Sequence, residues 1–216
     1  MTDDLELAAV DIRVLAVLAE KERLTPDNYP LSLNALANGC NQLTSRDPVM
    51  AVSEADVQQS LDTLAAARLV AEVSQAGARV RKYEHRMRLR WTLEQDKLAA
   101  LVMLMLRGPQ TAAEVRSRAG RIHEFDSVAA AEGALQFLID KYPPLACRLA
   151  RAPGAKEVRY AHLLSGDVAP EAQAAPEAAA SPRQDRIAAL EQEVAALKEE
   201  LASLSQAFAE IRRLLD

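Results

Sequence analysis

The chain has 216 residues, 50% of them hydrophobic but only 4% aromatic, and Ala and Leu supply much of the apolar content. Such a balance favours helices over a β-sandwich or barrel, in a length that suits one large domain or two small ones. The net charge of -5 is unevenly spread: residues 1–76 carry 5 basic and 12 acidic side chains, residues 77–165 carry 16 and 9, and residues 166–216 carry 5 and 10.

A basic island between acidic flanks is the footprint of a nucleic-acid partner, or an attractor for acidic segments of the same chain or of another protein. The acidic start "MTDDLELAAVD" lacks the basic and apolar regions of a signal peptide, and no apolar run approaches the roughly 18 residues of a spanning helix. The expectation is a cytoplasmic protein with no membrane partner. Cys40 and Cys147 stand far apart without C-x-x-C spacing, so neither a zinc site nor a disulfide framework is expected.

From Leu5, the apolar residues Leu5, Ala8, Ala9, Ile12, Leu15, Ala16 and Ala19 follow helical spacing up to "LTPDNYP". Ser32 is placed to cap a short helix through "LNALANGCNQ", which "LTSRDPVM" ends. Ser53 with Asp56 resembles a capping pair for a third helix, in which Val57, Leu61 and Leu64 line one face. "LVAEVS" and "VRKYEHRMRLRW" then read as two strands about a turn. On the second of these, a period of two puts Tyr83, His85, Met87, Leu89 and Trp91 inward and Lys82, Glu84, Arg86, Arg88 and Arg90 outward.

The order then recurs. Leu98 to Leu106 is an apolar helix, Thr111 with Glu114 forms a T-x-x-E capping box for the next, "SVAAAEGALQFLIDK" is the third, and "ACRLARAPGAKEVRYAHLL" is a hairpin turning at Pro153-Gly154. The echo is visible in the letters: "GARVRKYEH" and "GAKEVRYAH" align Gly77, Tyr83 and His85 with Gly154, Tyr160 and His162, always 77 residues apart. Three helices closed by a hairpin match a winged-helix domain. The predicted fold class is therefore mainly α with small β-hairpins: winged-helix domains over residues 1–92 and 93–166, a disordered Ala/Pro linker over 167–184, and a coiled coil over 185–216.

In that last segment Ile187, Leu190, Val194, Leu197, Leu201, Leu204, Phe208, Ile211 and Leu215 alternate spacings of three and four. Four heptads with every a and d position apolar predict self-association, and Arg186 with Glu191, and Glu193 with Lys198, would attract across a parallel dimer. A helix folded back on its own domains has the same pattern.

Three stretches, "TPDNYPLSLNALANGCNQLTSRDPVM", "LRGPQTAAEVRSRAGRIHEF" and "RLARAPGAKEVRYAHLLSG", together resemble the YceH-like family of bacterial proteins. The resemblance implies two winged-helix domains with a C-terminal helical segment in a bacterial cytoplasmic protein, and it implies no activity.

An enzyme is not expected, and no cofactor or metal is predicted. The only thiols and imidazoles are Cys40, Cys147, His85, His123 and His162, and they are scattered; packing explains the polar stretch "NGCNQLTSR" around Cys40 more simply than a pocket. For double-stranded DNA, the wings offer Arg79, Arg81 and Lys82 in the first repeat and Lys156 and Arg159 in the second, with Arg116, Arg118 and Arg121 on a helix between. The third helices carry Glu54, Asp56 and Asp62, and Glu132 and Asp140, without Lys or Arg. Gln58, Gln59 and Thr63 have the chemistry to read base edges, and also that of an ordinary solvated face. The sequence is read as that of a DNA-binding, transcription-regulatory protein dimerised through its C-terminal helix; the alternative is a protein-interaction adaptor that binds no DNA.

Overall fold

Four hydroxyl side chains start four helices. Ser32 accepts from the Ala35 N–H and begins α2 (Leu33–Cys40), and Ser53 accepts from the Asp56 N–H and begins α3 (Glu54–Ala66). Thr111 and Ser127 do the same for two helices of the second half, through Glu114 N–H and Ala130 N–H. Each cap satisfies a backbone donor that the helix leaves unpaired, worth about 1 kcal/mol. At Ser53 and Thr111 the acidic residue three positions on bonds back to the cap, completing the boxes expected from the sequence.

In the computed structural model, residues 6–73, 80–151 and 157–166 are described, and all of them belong to one compact unit. Labelled in chain order, α1 is Ala9–Leu24, and a 3-10 turn at Pro26–Asn28 leads to β1 (Leu31–Ser32). After α2 and α3 come β2 (Val70–Val73), β3 (Lys82–His85), α4 (Met87–Trp91) and α5 (Gln95–Arg107). The second half continues with α6 (Ala112–Ala119), α7 (Val128–Asp140), β4 (Ala146–Arg148) and β5 (Tyr160–His162). The protein is thus mainly helical with small antiparallel sheets.

The first sheet has the order β1-β3-β2, with Leu31 opposite Tyr83 and Val70 opposite His85. The second pairs β4 with β5, and in place of a first strand it has a single bridge from Gln110 to Tyr160. The same order of elements therefore occurs twice. α2 and α6 are both eight residues long, and α3 and α7 are both thirteen.

Two helices carry the core. Residues 11–20 of α1 and 98–106 of α5 are buried on every side, and α1 packs against α5 as well as α2 and α3. A single apolar stripe was expected on the first helix; all-round burial replaces it, because α5 covers the face that one small domain alone would leave to solvent. Ala8 and Ala9, placed on that stripe by their spacing, are exposed at the helix start.

All-round burial takes polar side chains inside. Arg13 donates to the Cys40 and Pro48 carbonyls at 3.2 and 2.7 Å. Arg46 places its Nη2 2.6 Å and its Nη1 3.1 Å from the Glu20 carboxylate, and also donates to the Gly39 carbonyl and to Gln42. Asn41 exchanges two hydrogen bonds of 2.8 Å with the backbone of Val52. The polar stretch around Cys40 is therefore a brace holding the 41–52 loop on α1 and α2. Gly39 lets α2 approach closely, since a Cβ there would stand 2.6 Å from Cγ1 of Val17.

The long second strand read from "VRKYEHRMRLRW" is corrected. Extended backbone stops at His85, Arg86 turns at φ -119 and ψ 17, and Met87–Trp91 forms a helical turn. Met87 and Trp91, four apart, are buried on one helical side, whereas Leu89 is 73% exposed instead of inward. The turn about Gly77 and that about Pro153-Gly154, the linker and the whole heptad segment from Ile187 to Leu215 lie outside the described residues.

Truncating Arg46 leaves Glu20 buried without its partner. Arg46→Met should lower unfolding free energy in urea by roughly 3–5 kcal/mol, with most of the loss recovered when Glu20→Leu is added. A single variant as stable as the wild type would show that the pair is not a brace.

Candidate nucleic-acid interface

The exposed side of α3 presents Glu54, Asp56, Gln59, Asp62 and Thr63, and it has no cation. Gln58 is not free to read a base: its amide donates to Asp62 at 2.9 Å, and its oxygen accepts from the Tyr83 hydroxyl at 3.3 Å. The Thr63 hydroxyl donates back to the Gln59 carbonyl. Of the three residues proposed for base readout, Gln59 alone keeps an exposed side chain with no hydrogen-bond partner among the described residues.

α7 repeats the arrangement with different letters. The Tyr160 hydroxyl donates to Glu132 at 3.0 Å, as Tyr83 does to Gln58, so each hairpin is tied to its third helix by a tyrosine. Gln136 donates to Asp140, and Phe137 is 42% exposed with the Lys97 and Lys141 ammonium groups 5.4 and 5.9 Å from its ring centre.

The basic residues singled out from the sequence are dispersed. Arg81 is exposed and pairs across the hairpin with Glu72 at 3.6 Å. Lys82 is half-buried and, with Lys21, Asp27 and Ser32, lines an open groove of about 430 Å³ beside the start of α2. Arg116 donates to the Phe125 and Asp126 carbonyls and Arg118 to Gln110 and Glu114. Arg159 donates to the Pro109 carbonyl at 2.6 Å and lies 3.4 Å from Glu114. Arg121 is exposed and has no ion pair among the described residues. Arg79 and Lys156 lie outside them.

One of these contacts, that of Arg118, falls on Gln110, a residue to which the sequence pattern assigns no role. Gln110 is fully buried, pairs by its backbone with Tyr160, donates from its amide to the Met103 carbonyl and accepts from Arg118. The basic helix of the second half is thus fastened to its own strand by charge-assisted bonds.

A model of the family DUF480, described as a protein of unknown function, matches residues 7–155. The chain belongs to the DUF480 family. A UPF0502 protein of Janthinobacterium sp. (strain Marseille) is 69% identical over 184 residues, covering 84% of this chain and 79% of that protein. A UPF0502 protein of Azoarcus sp. (strain BH72) is 54% identical over 214 residues, covering 98% and 95%. Another from Chromobacterium violaceum is 57% identical over 165 residues, covering 76% and 75%.

Cys40 is buried, and desolvation pushes its thiol up to about 12, far from the thiolate a nucleophile needs. His85 Nδ1 accepts from the Met87 N–H, which leaves Nε2, 3.2 Å from Glu22, to carry the ring hydrogen. His85 holds the Glu22 carboxyl below its ordinary range, with help from Arg88. His123 packs edge-on against Phe125 at 4.6 Å. Among the described residues no group of three His, Cys, Asp or Glu is placed to hold a metal, and no helix is long and apolar enough to cross a membrane.

His162 has a buried Nδ1 with no partner among the described residues, and burial lowers its pKa from 6.5 to about 4. Between those values the unfolded chain binds a proton that the folded chain refuses, so stability falls as pH drops through 6.5 toward 4. The full effect is on the order of 3 kcal/mol. His162→Phe should flatten the acid limb of a pH-stability curve by one proton; an unchanged limb would assign it to other groups.

Proposed function

We propose that this protein is a non-enzymatic tandem winged-helix protein working as a protein-interaction adaptor. The doubled order of helices and hairpin supports the winged-helix reading, with domains over 1–92 and 93–166, and the heptad pattern of the sequence is the support for a coiled coil over 185–216. One observation carries the choice of partner. The face a winged helix turns to the major groove is acidic on α3, and Arg116, Arg118 and Arg159, the cations nearest in role to phosphate contacts, are engaged within the chain. Carboxylates on a reading helix repel phosphate, and no cation on α3 compensates.

Binding of double-stranded DNA by a coiled-coil dimer is the second reading. Its support is Lys21 and Lys82 on one groove beside the N-terminus of α2, next to Arg81.

The two are separated by binding of the full chain to random genomic DNA fragments across a salt series. The adaptor reading expects no retention at any salt. Retention that falls with salt by roughly 0.9 log units per log unit for each phosphate contact, and that disappears on changing Arg79, Arg81 and Lys82 together to Ala, would replace it with the DNA reading. Light-scattering mass with and without residues 185–216 tests self-association, which an unchanged monomer mass would remove.

A further inference from the structure

Residues 81–90, "RKYEHRMRLR", hold five cationic side chains and one carboxylate, the densest positive run in the chain. α4 folds part of that run into a single helical turn with two unlike sides. Met87 and Trp91 enter the core, and Leu89, between them in sequence, is turned outward and 73% exposed. Arg86, Arg88 and Arg90 surround it along the chain.

The guanidinium groups of Arg86 and Arg88 are held in place. Arg86 is 2.9 Å from Glu84, and Arg88 contacts Glu22 at 3.6 Å and bonds the Gln95 side chain. Among the described residues those contacts use the Nη2 atoms, so each planar group has further N–H donors to offer a partner. The side chains of Arg86 and Arg88 are 44% and 36% exposed. Holding a long side chain in advance removes part of the entropy lost on binding.

The turn itself is kept short at a cost. Thr92, a β-branched residue, adopts φ 50 and ψ 56, a left-handed conformation such residues rarely take. Strain of about 1–3 kcal/mol persists where the surroundings fix it, here the burial of Trp91 and Leu93 on either side.

We propose that α4 is a docking surface for an acidic peptide segment of a protein partner, with Leu89 seated in an apolar pocket or against a large apolar side chain and Arg86 and Arg88 paired with flanking carboxylates. The proposal rests on the adaptor reading and names the chemistry of its partner. Charge complementarity selects an acidic occupant. The interleaved Glu84 and Glu22 select a peptide over nucleic acid, because a peptide places its carboxylates at chosen positions and leaves gaps opposite the two glutamates, whereas phosphates are evenly spaced along a strand. Leu89 points the same way, since on DNA it would have to unstack a base step to be buried.

The test uses the full chain and a display library of random twelve-residue peptides. Selection on the wild type should enrich sequences in which Asp or Glu flank Leu, Ile or Phe, and a synthetic copy of the most enriched should bind less tightly at higher salt. Leu89→Ser should weaken that binding by about tenfold and Arg86→Ala by about fivefold, as expected for a central anchor and a charged flank. Both sites are at the surface, so an unchanged melting temperature confirms that the variants fold. Peptides without the acidic-apolar pattern, or binding indifferent to Leu89→Ser, would overturn the proposal. So would genomic DNA retained by the wild type and released by Leu89→Ser, or self-association lost in that variant. DNA binding that survives Leu89→Ser but not the Arg79, Arg81 and Lys82 change would instead defeat the adaptor reading.

Discussion

The guanidinium of Arg46 has no exposed surface, and burying a charge without an equal and opposite partner costs several kcal/mol. That constraint organises the first half of the protein. Glu20 must sit inside α1 to meet it, the C-terminal turn of α2 must offer the Gly39 carbonyl and the loop after it the Gln42 side chain, and Gly39 must lack a side chain so that α2 approaches α1. Ser45 takes a left-handed φ of 62 to bring Arg46 round. Immediately after it, the Asp47 N–H bonds the Leu106 carbonyl at the end of α5. A lysine could not serve, since it lacks the planar fork that reaches a carboxylate, a carbonyl and an amide oxygen together. The same loop that neutralises a buried charge therefore joins the two halves.

Legibility in the sequence followed locality. Caps were readable because Ser32, Ser53 and Thr111 act within three residues of themselves. The stretch "RMRLRW" was ambiguous because Met87 and Trp91 satisfy both a period of two and an i, i+4 spacing, and Leu89 alone tells them apart. A strand needs Leu89 inside; the helical turn puts it outside. The burial of Arg13 and Glu20 has no local sign in the sequence, because their partners, at Cys40, Pro48 and Arg46, are 26 or more residues away. Nothing near them in the chain reports that the 41–52 loop will cover that side.

For the candidate interface the difficulty was of another kind. Arg116 and Arg159 were recognised as exposed cations on the right elements, but their acceptors are the backbone carbonyls of Phe125, Asp126 and Pro109, which every sequence contains and none displays. Gln58 is withdrawn from solution by Tyr83, a contact that the doubled Tyr-x-His phrase could have suggested had its tyrosines been asked for a hydrogen-bond partner. The phrase has kept its first residue to one task in both copies, tying hairpin to third helix. Its second residue has diverged: His85 is bonded to Met87 and close to Glu22, whereas Nδ1 of His162 is without a partner among the described residues.

Divergence of that sort follows a rule set by packing. Inward positions of the repeats are coupled through α1 and α5, so a change in one copy disturbs both, and the cost of an ill-fitting core residue is several times that of a surface substitution. Outward positions carry no such coupling. On the third helices Gln59, Asp62 and Thr63 mark a polar acidic face in one half, while Phe137 with two lysine ammonium groups over its ring gives the other an aromatic patch under cations. A duplicated scaffold held rigid from within has two such faces to vary independently. On the adaptor reading this asymmetry is what would let one chain hold two different partners, where two identical faces would only hold two copies of the same one.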